Sequence, residues 1–198
     1  MNINDAKKIQ DSIQNKYTEV SKSAEGKFNY LTGKTGALAL GYPNSIIETA
    51  QEELLVSFCG VGNPFSLGEI SPGEAVLDIG CGAGFDLYVA SLLVGPKGRA
   101  CGIDLTPEMV ERAQSNLALA NTINTEVQLS TSESIPYEDN SFDIVISNGV
   151  LNLSPLKEKS FDEIYRVIKP GGRLQFGDIV LKEGVEPPNV CNIDSWAQ

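Results

Sequence analysis

Residues 76–86 run Val-Leu-Asp-Ile-Gly-Cys-Gly-Ala-Gly-Phe-Asp, and no other stretch of the chain narrows the fold so far. A short apolar run carrying one acid, Asp78, passes directly into three alternate glycines, Gly80, Gly82 and Gly84, and then into a helix-like stretch. Without side chains the backbone can turn tightly and approach a ligand, while the N-terminus of the following helix presents unpaired N–H groups. The spacing is G-x-G-x-G. A dinucleotide-binding loop follows G-x-G-x-x-G and requires its third glycine where Phe85 stands, which disfavours a dehydrogenase. Read without a ligand, the same segment is a tight strand-to-helix turn.

The rest of the chain alternates in the way a parallel sheet with crossover helices demands. Apolar strands are expected at 75–79, 99–103, 126–129, 142–147 and 173–180, with helices at about 85–94, 107–120 and 155–168. Thr106-Pro107 and Ser154-Pro155 each place a capping oxygen before a proline at the first helical position. The last helix is expected to bury Phe161, Ile164, Tyr165 and Ile168 on one face, and Lys169-Pro170-Gly171-Gly172 stops it. Upstream, Ile3, Ala6, Ile9, Ile13, Tyr17 and Val20 form one apolar helical stripe. A loop is expected over 25–43, and a second helix from Asn44 or Ser45 to about Phe58. The expected architecture is α/β and Rossmann-like: an open, mostly parallel sheet with helices on both faces. A helical lid of residues 1–70 precedes a core of residues 71–198. The segment from Lys182 carries Pro187-Pro188 and ends in Ser-Trp-Ala-Gln without a closing strand. The further strands usual in such folds are therefore expected to be absent.

Composition closes off several chemistries. The 198 residues contain no histidine, which excludes Ser-His-Asp and Cys-His catalysis and a histidine-ligated zinc. A formal net charge of −11 repels phosphate backbones, so nucleic acid is not an expected partner. No apolar run reaches the ~20 residues that span a bilayer, and no membrane association is expected. Cys59, Cys81, Cys101 and Cys191 contain no C-x-x-C pair, and with no signal peptide at the N-terminus this suits a reducing cytoplasm.

Two further segments carry ligand chemistry. Gly102-Ile103-Asp104 ends the second expected strand, where a carboxylate can accept hydrogen bonds from ribose hydroxyls; Asp104 could equally cap the helix that follows. Ser132-Glu133-Ser134-Ile135-Pro136-Tyr137 precedes Ser141-Phe142-Asp143-Ile144-Val145, and is either an adenine-holding turn or a surface loop. Taken in order with Asp78 and the glycines, these segments resemble the class I methyltransferases that use S-adenosylmethionine. Their third strand typically ends in Asp-Ala-Glu; this chain has Thr131 where that aspartate would stand.

The resemblance narrows to the arsenite methyltransferase family. It rests on Phe58-Cys59-Gly60-Val61-Gly62-Asn63-Pro64, Leu93-Val94-Gly95-Pro96-Lys97-Gly98, Gly102-Ile103-Asp104-Leu105-Thr106 and Ser147-Asn148-Gly149-Val150-Leu151-Asn152-Leu153. The resemblance implies S-adenosylmethionine as cofactor and trivalent arsenic, held by cysteine thiolates, as the small-molecule methyl acceptor. By position Cys59 resembles the first arsenic-binding thiol, and Tyr17 the tyrosine that closes over the cofactor; Tyr17 is also simply a member of the apolar stripe. The second thiol of the family would fall inside Ser147-Asn148-x-Val150, where this chain has Gly149. A third would follow three residues after Trp196, and Cys191 does not match it. The candidate catalytic residue is Cys59. The candidate cofactor contacts are Tyr17, Asp78, Gly80, Gly82, Gly84, Asp104, Leu105, Ser132, Glu133 and Ser147. Two alternatives stay open: Gly149 favours methylation of another small metabolite, and the stop after the fifth expected strand favours a cofactor-binding domain without a complete acceptor site.

Overall fold

The computed structural model describes residues 3–180; the expected C-terminal segment, with Cys191 and Trp196, lies outside them. Five strands form one sheet: β1 (Ala75–Ile79), β2 (Arg99–Asp104), β3 (Thr125–Leu129), β4 (Phe142–Asn148) and β5 (Ile168–Gly177). Their order is β3-β2-β1-β4-β5 and every pairing is parallel. The order reverses between β1 and β4. Right-handed crossovers running one way from β1 and the other way from β4 put their helices on opposite faces of the sheet.

The core records this directly. Val76, Ala100, Ile144 and Ile146 pack on one face with Leu87 and Val89 of α5 (Phe85–Val94) and Ala113 and Leu117 of α6 (Pro107–Leu119). Leu77, Ile79, Cys101, Ile103 and Val145 pack on the other with Ile164 and Val167 of α7 (Lys157–Val167). Both faces of β1 are thus apolar and buried, as a central parallel strand requires, and each fully buried Leu or Ile contributes about 1.5–3 kcal/mol.

N-terminal helices cover the carboxyl end of the sheet. The stripe of α1 (Ile3–Val20) buries Ala6, Ile9, Ile13 and Val20. Gln14 Nε2 donates to the Leu105 carbonyl at 2.8 Å, and the Thr18 hydroxyl to Glu108 at 3.0 Å, fixing the helix over the start of α6. No helix among the described residues is long and apolar enough to cross a membrane.

Five local expectations are corrected. The expected loop over 25–43 contains α2 (Gly33–Ala39). Tertiary packing recruits this weak helical sequence: Ala37 is fully buried, and a Cβ on Gly36 would lie 2.5 Å from the Leu31 carbonyl oxygen. The single helix expected after Asn44 is two, α3 (Asn44–Thr49) and α4 (Glu52–Leu55), separated by extended backbone at Ala50 and Gln51. The break frees Gln51 to donate to the Leu119 carbonyl at the end of α6 (2.7 Å). In α7 the buried positions are Ser160, Ile164 and Val167, whereas Phe161 and Tyr165 are 41% and 85% exposed. They lie one residue, about 100°, round the helix from the buried stripe. Ser154 does not cap α7; the position before the helix is Leu156, and Ser154 Oγ instead accepts from the Leu156 N–H at 3.1 Å. β5 begins at Ile168 rather than Arg173 and ends at Gly177. The register break between Phe142 and Ile144 takes up Lys169–Gly172, and a Cβ on Gly172 would stand 2.6 Å from the Asp143 carbonyl oxygen.

Candidate active site

The carboxyl ends of β1, β2 and β4 and the covering helices enclose a cleft of about 1020 Å³, counted with its open mouth. It lies where the strand order reverses, the position at which open α/β sheets bind ligands. Nine of the predicted residues line it together: Tyr17, Cys59, Asp78, Gly80, Gly82, Asp104, Leu105, Ser132 and Glu133.

Two do not. Gly84 is the residue before α5, at φ +94°, and a Cβ there would meet Ala113 of α6 at 3.3 Å, so this glycine serves helix-to-helix packing. Ser147 is 1% exposed and donates to the Ile79 carbonyl at 3.2 Å, tying β4 to β1.

The glycine loop divides its labour. Gly80 has φ +72°, and a Cβ there would overlap Val150 Cγ2 at 2.4 Å; its N–H and that of Cys81 both bond the Ile103 carbonyl. Gly82 has φ +52°, and a Cβ there would stand in open space within the cleft. Gly80 therefore shapes the loop, and Gly82 leaves room for whatever occupies the cleft.

Asp104 is held by the loops on either side of it and does not cap α6. Its Oδ1 accepts from the Thr106 N–H (2.8 Å) and its Oδ2 from the Gly82 N–H (2.9 Å), while the Thr106 side chain makes no capping bond. An ionised carboxylate only accepts, and an oxygen already holding an N–H can also take a hydroxyl of a ligand. Burial raises the Asp104 pKa, and these N–H donors oppose the rise.

Acid converges here. Asp78 is 2% exposed and its Oδ2 has no hydrogen-bond partner. Burial, then the neighbouring Asp86 and Asp104, push it well above the usual carboxylate range. Asp86, in the first turn of α5, is raised to about 6 by burial, against hydrogen bonds from Tyr42 and Asn148. An orphaned carboxylate oxygen at a cleft with two further acids suits a cationic ligand bearing hydroxyls. The sulfonium and ammonium of S-adenosylmethionine, with its ribose, fit that description.

Cys59 is half-buried, and burial, followed by the charge of Asp104, pushes its thiol up to about 12; Lys16 opposes the shift. Tyr17 is raised well above its ordinary value, first by burial, and remains a neutral phenol with its ring centroid 6.4 Å from that of Phe28. Glu133 is 6% exposed and accepts from the Ser154 hydroxyl at 2.6 Å; the Ser132 hydroxyl lies 2.8 Å from that of Ser160. Ser132 and Glu133 are thereby a braced edge of the cleft rather than a free surface loop.

Sequence reasoning passed over Asn148, Asp86 and Tyr42. The Tyr42 hydroxyl donates to Asp86 Oδ1 at 2.5 Å, and Asn148 Nδ2 to Asp86 Oδ2 at 2.9 Å. Asp86 and Asn148 belong to motifs quoted above, so their positions were visible; that they meet each other and Tyr42 was not.

A parallel sheet reversing at a glycine loop, with a carboxylate ending the neighbouring strand, defines a Rossmann-like domain for a nucleoside-bearing cofactor. A family model described as a methyltransferase domain matches residues 70–196, and the chain belongs to that family. The arsenite methyltransferase of Halobacterium salinarum is 41% identical over 149 residues, covering 75% of this chain and 38% of that protein. The arsenite methyltransferase of Mus musculus is 33% identical over 185 residues, covering 88% and 48%. The crystal structure of CrArsM, an arsenic(III) S-adenosylmethionine methyltransferase from Chlamydomonas reinhardtii, superposes with a TM-score of 0.57. It is 39% identical, over 73% of this chain and 48% of that one. The chain thus spans less than half the length of each of these proteins. Fold and relatives imply S-adenosylmethionine as the cofactor.

Proposed function

We propose that the chain transfers a methyl group from S-adenosylmethionine to trivalent arsenic, with Cys59 as the protein's ligand to the acceptor. The supporting observation is that one cleft is lined both by the cofactor-type residues Gly80, Gly82 and Asp104 and by the Cys59 thiol. When bound, the cofactor supplies a methyl on a sulfonium that departs as a neutral thioether. Asp104 would hold the ribose hydroxyls, Asp78 and Asp86 would face the positive charge, and Ser132 and Glu133 would edge the adenine. Tyr17 of α1, with Leu105 beside the helix, would exclude water. The chain then needs chiefly to align donor and acceptor, and histidine is not required. Cys59 is protonated at neutral pH. Its condensation with an arsenic hydroxide forms a sulfur–arsenic bond and releases water, the thiol proton leaving with the hydroxide, so no free thiolate need accumulate.

Gly149 favours a second reading. At φ +75°, with no side chain opposite Val61, it leaves Cys59 without the neighbouring thiol that the arsenite resemblance implies. The acceptor would then be an oxygen, nitrogen or carbon centre on a small metabolite. Methyl-labelled cofactor, arsenite and excess thiol, with Cys59→Ser in parallel, test the choice. Methylated arsenic that disappears in the variant supports the first reading. Cofactor binding without an arsenic product rejects it in favour of the second.

A further inference from the structure

Asn148, the last residue of β4, makes more side-chain contacts around the cleft than any residue the sequence singles out. Its Oδ1 accepts from the backbone N–H groups of Val61 (2.8 Å) and Gly62 (2.9 Å). Its Nδ2 donates to the Gly62 carbonyl and to Asp86 Oδ2, both at 2.9 Å, with the Tyr42 hydroxyl 3.2 Å away. The contact is close enough to explain Gly60, where a Cβ would lie 2.3 Å from Asn148 Nδ2; at Gly62 the close neighbour is instead Gly177 Cα, at 3.2 Å. Cys59 is the residue before Gly60, and Asp86 stands two residues after the last glycine of the cofactor-type loop. One amide therefore joins the loop carrying the thiol to the helix that the glycine loop opens.

We propose that Asn148 is a positioning residue for methyl transfer: it latches the Cys59–Gly62 loop to Asp86 at the head of α5, so that cofactor occupancy and the accessibility of the Cys59 thiol are linked. The coupling rests on the cleft being a methyl-transfer site with Cys59 on its acceptor side, but not on which acceptor is used. Asn148 has the geometry for it because an amide offers donors and acceptors at once. The donors hold the Asp86 carboxylate and the acceptors hold the loop. Removing the amide leaves two buried-side N–H groups and one carboxylate oxygen short of a partner.

Gln175 provides a control of the same chemistry. It is 3% exposed, and its Nε2 donates to the Pro64 (2.8 Å) and Gly68 (3.0 Å) carbonyls, bracing the same connector without bonding Asp86 or residues 59–62. Asn148→Asp is the informative variant. It keeps an acceptor for Val61 and Gly62 but sets a second carboxylate against Asp86, with Asp78 on β1, Asp104 on β2, and Tyr42 and Cys59 from the N-terminal region facing the same acids. Two carboxylates so placed bond only by sharing a proton, so the latch should form at about pH 5.5 and open at about pH 8.

The experiment is maleimide labelling of Cys59, read by peptide mass spectrometry, with and without S-adenosylhomocysteine. Calorimetry reports on binding of that probe. In the unaltered protein, S-adenosylhomocysteine should slow labelling at least fivefold. Asn148→Ala should label at least tenfold faster and lose the protection, and Asn148→Asp should regain it only at the acid pH. Gln175→Ala should keep it. Protection retained in Asn148→Ala, or lost equally in Gln175→Ala, overturns the proposal. Should Asn148→Ala not fold, a pH-independent Asn148→Asp overturns it alone. No calorimetric binding of S-adenosylhomocysteine refutes the cofactor site itself, whereas binding without protection refutes only the latch.

Discussion

Replacing Gly149 with cysteine places a second thiol next to the Cys59 loop at a backbone cost that can be worked out. Gly149 sits at φ +75°, its N–H bonded to the Gly177 carbonyl at 2.8 Å, so the backbone is held in the left-handed region. A side chain there costs about 1–2 kcal/mol. The new Cβ would lie 3.3 and 3.4 Å from the two Cγ atoms of Val61, a contact relieved by a shift of a few tenths of an ångström. A loss of that size lowers the melting temperature by ~2–8 °C in a domain of this length. Against it stands chelation: a second thiol held beside the first raises affinity for a thiophilic centre by ~10²–10⁴, through effective concentration alone. Thermal unfolding with and without arsenite reads both terms, since a ligand of the folded state stabilises by mass action. Gly149→Cys should melt below the unaltered protein without arsenite and gain far more from its addition. Gly149→Ala, with the same strain and no thiol, should melt low and gain nothing extra. If Gly149→Ala responds like Gly149→Cys, or if adding Cys59→Ser leaves the gain intact, the two positions do not share an acceptor site.

Four other predictions follow from the cleft. Gly82→Ala, whose Cβ enters open space, should cost only the ~1–2 kcal/mol of left-handed strain yet lower cofactor affinity at least tenfold by calorimetry. Gly80→Ala, whose Cβ overlaps Val150, should lose stability as well; equal melting temperatures for the two variants would contradict the division of labour in the loop. Cys59, at about 12, should be alkylated about a thousandfold more slowly near pH 8 than an ordinary thiol, its rate still climbing with pH beyond 9; a plateau below 9 refutes the burial argument. Burial holds Asp86 up at about 6, so between about pH 4 and 6 the folded chain keeps a proton that the unfolded chain has released. That contribution is complete below about pH 4 and lost as pH rises through 6, by up to ~3 kcal/mol. Asp86→Asn should therefore gain stability relative to the unaltered protein across this window in urea titrations, and a constant difference would refute it.

The strands and the glycine loop were legible because their causes are local. Val76-Leu77 and Ile144-Val145-Ile146 are apolar runs that both faces of a parallel sheet need, and strand β1 and helix α5 fall where the sequence places them. The N-terminal connector was not legible. Gly33–Ala39 becomes helical through the burial of Ala37, and the helix expected after Asn44 breaks so that Gln51 can reach α6. Tyr165 shows the same limit in one residue, since a helical pattern gives the period of a face but not which of two adjacent stripes meets the sheet. At the site, residue types declared the cleft: Asp78, Gly80, Gly82 and Asp104 carry their chemistry wherever a strand–loop–helix unit holds them. The roles among them are tertiary. Asp104 joins the glycine loop to the turn before α6, Gly84 packs helices, and Ser147 ties strands. Sequence by itself determined the α/β order and the position of the cleft, since hydrophobic period and glycine spacing act over a few neighbouring residues. Only the tertiary structure decided that Tyr42, Asp86 and Asn148 meet beside Cys59. Hydrogen bonds between residues separated by 44, 62 and 106 positions depend on how the sheet reverses, and no local pattern records that.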